Sequence, residues 1–238
     1  MTLFKDTIDN IKPILEEAKN KGDVREYGRN HGAIWPEGRS LVLQEDTAME
    51  LGSEQGSLFM IAWGEKGSLP SPGRLSLLGP DLRESEGDQL PLGLIVLVSG
   101  EFTDDYKTYQ DVLDVVFDSR LEGVSVRVWP ERQRVWCRVS HKALDNNFSL
   151  QSFGNVLLEN LISQEFIEEA EVILVSGREY LEKLTPVSSR VKNILDALMK
   201  MYEEMDFDCD NCDYQEICEE VESLKRIREN LRKEKEGA

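Results

Sequence analysis

Apolar residues recur along this chain with two periods, and the switch between them divides it into elements. Phe4, Ile8, Ile11, Leu15 and Ala18 fall at helical spacing. They predict an amphipathic helix over residues 3–20, kinked or restarted at Pro13 and closed by Gly22. A glycine-rich stretch around Gly28, Gly32 and Gly38 follows, and then short runs suited to strands: Ser40–Leu43, Ser57–Trp63 and Arg74–Leu78. Helix followed by strands predicts an α+β unit over residues 1–90.

From residue 91 the periods alternate. Leu94 to Val98 is apolar throughout, as in a strand buried on both faces, and it ends near Gly100. Thr103, Asp104 and Asp105 suit a helix start. Tyr109, Val112, Leu113, Val116 and Phe117 then repeat at helical spacing. Strands are expected at Val124–Trp129, Arg134–Val139 and Glu171–Val175, with a helix around Val156–Ile162 between the last two. This alternation predicts a layered α/β unit over residues 91–205. Val191, Ile194, Leu195, Leu198, Met199 and Tyr202 line a long helix at its end. A helical segment carrying cysteines, residues 206–238, closes the chain, with Ile217, Val221, Leu224 and Leu231 on its apolar face and a frayed charged tail. The fold class read from the pattern is α/β: an α+β unit, a layered α/β unit and a C-terminal cysteine-containing helical segment.

Composition narrows the chemistry. The 238 residues carry a net charge of −18, which repels a phosphate backbone and argues against nucleic acid as a partner. The first ten residues include acids, and no apolar run approaches the ~18 residues of a membrane span. Neither a signal peptide nor a membrane segment is therefore predicted, and the expected location is cytoplasmic. Three of four cysteines, Cys209, Cys212 and Cys218, fall within ten residues. Crowding of this kind points to metal or redox chemistry rather than to a disulfide framework. Cys137, beside Trp136 in a strand-like run, reads as a small buried hydrophobe. His31 and His141 have no nucleophile or second histidine at ligand spacing, so no triad or metalloprotease site emerges. Asp81, Glu84 and Glu86 read as a turn before the buried strand rather than an acid–base pair.

Three segments carry a family resemblance: QEDTAMELG at Gln44–Gly52, GRLSLLGPDLRESEGDQLPLG at Gly73–Gly93, and RVWCRVSHKAL at Arg134–Leu144. In this order they resemble the middle region of the acetyl-CoA synthase β subunit, which exchanges carbon monoxide, a methyl group and coenzyme A in anaerobic one-carbon metabolism. The resemblance covers most of residues 23–205. It implies the same fold that the periodicity predicts, and it implies coenzyme A as a ligand. Trp136 and Arg138 stand in the matching Trp-x-Arg-x-Ser motif, and Arg127, Arg132 and Arg134 add positive charge nearby. Guanidinium groups offer forked, permanently charged donors to phosphate, and an indole can stack on adenine. The plainer alternative makes Trp136 a packing anchor and the arginines a solvated face.

Cys209 and Cys212 resemble the opening Cys-x-x-Cys of the family's metal domain, and the rest departs from it. Five residues separate Cys212 from Cys218, no fourth cysteine follows, and no Cys-x-Cys exists. A nickel–iron–sulfur cluster of the family type would lack ligands, so acetyl-CoA synthesis by this chain alone is not expected. An iron–sulfur cluster with one open iron and a zinc ion completed by Asp208, Asp210, Asp213 or a partner are the two metal readings. A redox pair is disfavoured because Asp208, Asp210, Asp213 and Glu216 would raise the thiol pKa. Free cysteines in an interhelical loop are the plain alternative. The function expected is an accessory or binding module of the carbon monoxide dehydrogenase/acetyl-CoA synthase system. It would dock a subunit of that system or a corrinoid protein. An iron–sulfur subunit in one-carbon chemistry and a metallochaperone are the rivals.

Overall fold

The computed structural model describes residues 3–29, 35–38, 41–53, 56–70, 72–203 and 212–236. Helix α1 (Lys5–Lys21) forms on the expected apolar stripe, accommodates Pro13, and stops at Gly22, whose φ of 76° is the left-handed cap that glycine adopts most readily. Strands β1 (Val24–Gly28), β2 (Thr47–Leu51), β3 (Ser57–Glu65), β4 (Gly73–Leu78), β5 (Gln89–Leu90) and β6 (Leu92–Gly100) follow. Next come α2 (Asp105–Asp118), β7 (Val124–Trp129), β8 (Arg134–Ser140), α3 (His141–Asp145), α4 (Leu150–Ile162) and β9 (Glu169–Val175). Helices α5 (Arg178–Glu203), α6 (Gln215–Glu220) and α7 (Glu222–Glu236) complete the chain.

The strands form two mixed sheets, so the fold class is α/β as the periodicity predicts. The larger has the order β1-β4-β9-β6-β3, and every residue of β6 and β9 is buried. Strands from both sides of residue 90 interleave in it: β6 runs parallel to β3 and antiparallel to β9. The two units expected from the sequence thus share one sheet. The smaller sheet has the order β5-β2-β8-β7. In β8 the period-two pattern buries Val135, Cys137 and Val139 towards β3 and β6, while the even-numbered residues face outwards. Ser57 ties the two sheets together, its hydroxyl accepting from the Val135 N–H at 2.8 Å and donating to the Val135 carbonyl at 2.5 Å.

Three expectations are corrected. Residues 41–43 form no strand, and Leu41 and Leu43 are exposed; the strand lies instead at Thr47–Leu51, where Met49 and Leu51 find the core. The C-terminal helix is broken at Val221, whose ψ of 99° is not helical. Its charged tail stays helical to Glu236 rather than fraying. No helix of the described residues is long and apolar enough to cross a membrane.

Candidate functional site

The hairpin of β7 and β8 gathers the predicted arginines. Cross-strand register sets Arg127 opposite Trp136, Trp129 opposite Arg134, and Ser125 opposite Arg138. On the other side of β8, Arg138 faces Glu50 of β2. Because side chains alternate along a strand, Arg134, Trp136 and Arg138 share the outward face with Arg127 and Trp129. The turn at residues 130–133 begins with Pro130, places Gln133 at a φ of 51°, and presents Arg132 to solvent. The Gln133 amide is anchored to Ser188 of α5, donating to its hydroxyl at 2.6 Å.

Within this face Trp136 is fixed rather than free. Its indole N–H donates to the Glu50 carboxylate at 2.6 Å. The Arg138 and Arg127 guanidinium carbons lie 4.7 and 5.5 Å from its ring centroid, within cation–π range. Arg138 is partly buried, sits 3.7 Å from Glu50, and has a buried Nε without a hydrogen-bond partner among the described residues. Arg127, Arg132 and Arg134 are exposed, and Trp129 is 40% exposed beside them. The structure therefore brings all five predicted residues to one hairpin, with the half-buried pair Trp136 and Arg138 braced by Glu50 and the outer three open to solvent. Such an arrangement suits an anionic ligand carrying a flat ring: forked donors for phosphate, an open indole for stacking.

Sequence reasoning missed Trp129 and Glu50. Trp129 was within reach, since it shares the alternation of Arg127 two residues earlier. Glu50 was not, because it reaches the face only through the long-range pairing of β2 with β8.

The cysteines divide. Cys209 lies outside the described residues. Cys212 is half-buried and Cys218, on α6, is buried, and both line a cavity of about 20 Å³ with Ala197, Met201, Tyr214 and Arg228. Among the described residues no group of three histidines, cysteines or carboxylates is placed to hold a metal. Cys137 is buried between the sheets, and burial pushes its thiol pKa up to about 12, in keeping with a small hydrophobe. His31 lies outside the described residues, and His141 is the exposed first residue of α3. Asp81 and Glu84 form a turn, as expected. Asp81 accepts from the Leu82 and Leu150 N–H groups at 2.6 and 2.8 Å and so joins the turn to the start of α4, while Glu84 accepts from the Asp81 N–H at 2.8 Å.

Comparison with known proteins places this hairpin inside a shared region. The family model described as "CO dehydrogenase/acetyl-CoA synthase complex beta subunit" matches residues 32–181. The chain is 28% identical over 145 residues to the acetyl-CoA decarbonylase/synthase complex subunit beta of Methanopyrus kandleri, covering 57% of this chain and 29% of that protein. It is 24% identical over 179 residues to the carbon monoxide dehydrogenase/acetyl-CoA synthase subunit alpha of Moorella thermoacetica, covering 71% and 22%. To subunit beta 1 of the Methanosarcina thermophila decarbonylase/synthase complex it is 25% identical over 142 residues, covering 57% and 29%. The chain thus spans less than a third of the length of each of these relatives.

Proposed function

Because the chain belongs to the family of the CO dehydrogenase/acetyl-CoA synthase complex beta subunit, we propose that it is a binding module of that system which takes coenzyme A on the β7–β8 hairpin and docks another subunit or a corrinoid protein. The observation that carries the ligand reading is the shared outward face: exposed Arg127 and Arg134 and an open Trp129 surround a braced Trp136, with exposed Arg132 on the adjoining turn, on a chain of net charge −18. In this reading Arg127, Arg132 and Arg134 meet the phosphates. Trp129 stacks on the adenine, and Glu50 keeps Trp136 and Arg138 in place beneath. A cluster of cations on an acidic molecule also speeds the approach of a polyanion.

The same proposal gives Cys209, Cys212 and Cys218 a metal. Cys212 and Cys218 line one small cavity, and with Cys209 they would hold either a zinc ion or an iron–sulfur cluster with one open iron. The described residues do not fit the family's nickel–iron–sulfur cluster, since they supply two thiols there, and the full sequence supplies only three in that segment. Zinc, when bound, would tie Cys212 to Cys218 through its thiolate bonds.

Calorimetry with coenzyme A tests the ligand reading. Saturable binding is expected, weakened about tenfold by Arg134→Ala, the loss of one charge-assisted contact. Binding should also weaken in Trp129→Ala. An absence of heat, or affinities indifferent to both substitutions, would remove coenzyme A from the hairpin.

A further inference from the structure

The free side of β7 is a second surface on the same hairpin. Strand β8 occupies one side of β7; on the other, Leu121 closes on Val124 through an isolated antiparallel bridge, and beyond it, along Val126–Val128, no strand lies among the described residues. Along this open side runs a groove of about 410 Å³, lined by Val124 to Val128 together with Leu41, Phe117 and Arg120. Its walls are unusual for this molecule. Large apolar side chains among the described residues are mostly buried, yet Leu41 is 72% and Phe117 45% exposed. The wall carrying Leu41 is anchored to the strand, since the Val42 N–H donates to the Ser125 hydroxyl at 2.8 Å.

Charge identifies the occupant. Arg120 has a loose contact at 3.6 Å with Asp118, which is itself 80% exposed. Arg127 has no carboxylate partner among the described residues and rests over Trp136. An open strand edge with apolar flanks invites another strand, and extended peptides use such edges through main-chain hydrogen bonds with side chains filling alternate pockets. Two arginines on a chain of net charge −18 select an acidic segment. A second copy of the chain is a poor match, because a twofold pairing of two β7 edges brings the same arginines together.

We propose that the β7 edge docks an extended segment of a partner protein in which apolar and acidic residues alternate, adding as a strand beside Val126–Val128. Its apolar side chains lie on Leu41 and Phe117, and its carboxylates meet Arg120 and Arg127. This rests on the reading of the chain as a docking module and gives that docking a location.

The test presents a displayed library of ten-residue peptides to the full chain and to the double variant Phe117→Lys/Arg120→Glu. Both positions are partly exposed, so the variant should keep the parent's circular dichroism; Phe117→Ser serves as a milder substitute if it does not. Enrichment of alternating apolar and acidic peptides on the parent is expected. A synthetic peptide of the enriched sequence should bind the variant at least tenfold more weakly and slow hydrogen exchange at Val126–Val128 of the parent. Equal enrichment on both proteins, enrichment of basic peptides, or binding without protection of β7 would overturn the proposal. So would sedimentation showing a dimer that the variant dissolves, which would assign the edge to a second copy. If a complex with a subunit of the system or a corrinoid protein forms and the variant leaves it intact, the docking reading stands and this location for it falls. Coenzyme A calorimetry on the variant reports separately on the outward face.

Discussion

Glu171 shows how this fold handles a charge where it can least be solvated. It sits in β9, the middle strand of the five-stranded sheet, with only 3% of its side chain exposed. Burial raises its pKa above the ordinary 4.5, against the pull of the Arg74 guanidinium, whose Nη2 and Nε lie at 2.8 and 2.9 Å, and of the Ser76 hydroxyl at 3.1 Å. Burial wins, so folding favours the protonated acid. The contribution of this group to stability is therefore complete below the unfolded pKa and is lost as pH rises through the folded one. Arg74 limits that loss. Removing it leaves a buried carboxylate without its cation, and Arg74→Ala should cost about 3 kcal/mol at pH 8. The deficit should narrow as pH falls towards 4.5, where Glu171 takes up a proton and no longer needs a partner. Urea unfolding of both proteins at the two pH values measures this, and a deficit that ignores pH would show that Glu171 does not titrate in that window.

At the scale of elements, β2 is positioned by backbone contact as much as by side chains. Gly52 follows β2 with a φ of 74°, and a Cβ there would come within 2.2 Å of the Val135 carbonyl oxygen in β8. Gly67 also has a positive φ, 81°, yet a Cβ there meets nothing within 4 Å. Gly67→Ala should thus cost only the left-handed conformation, about 1 kcal/mol. Gly52→Ala should cost at least about 2 kcal/mol more, because β2 must move off β8. Denaturant midpoints compare them, and equal costs would mean that the pairing of β2 with β8 yields easily. This pairing also marks where the sequence stops being legible. Strands β3, β6, β7 and β8 were readable because one face or both are buried, which leaves period-two or unbroken apolar patterns. Strand β1, with the sequence Val-Arg-Glu-Tyr-Gly, lies at a sheet edge and buries no residue fully, so it has no such pattern. In the run Ser40–Leu43, Val42 is buried but Leu41 and Leu43 are exposed, and residues 41–43 pair with no strand. Arg127, Arg134, Trp136 and Arg138 could be placed on one face from alternation alone. Glu50, which braces them, joins through a contact between residues 86 apart that no local spacing encodes.

Across the whole molecule, the region shared with the family, residues 32–181, is bracketed by parts that lie outside it and pack into the same core. Helix α1 packs on β1, β3 and α5. Ahead of it, Phe4 is fully buried with its ring edge-on to Trp63 of β3, centroids 4.5 Å apart. From the other end, Leu224 of α7 is fully buried as well. Two kinds of contact join α1 to α5, and their magnitudes differ. Lys21 and Lys183 bridge Glu17 and Glu179 at 2.6–2.9 Å, and Lys183 with Lys21 holds the Glu179 pKa down to about 2. These groups are at the surface, where water and salt screen them, and pairs of this kind contribute little. Apolar burial dominates instead. Phe4→Ala should cost about 3 kcal/mol, as much as Phe153→Ala inside the shared region, since each removes a buried phenyl ring from one continuous core. Denaturant unfolding of the two variants decides the matter. Near-equal losses in a single transition mean that α1 and the shared region unfold together, whereas a cost below about 1 kcal/mol for Phe4→Ala would make α1 an appendage and leave the shared region to stand on its own sheets.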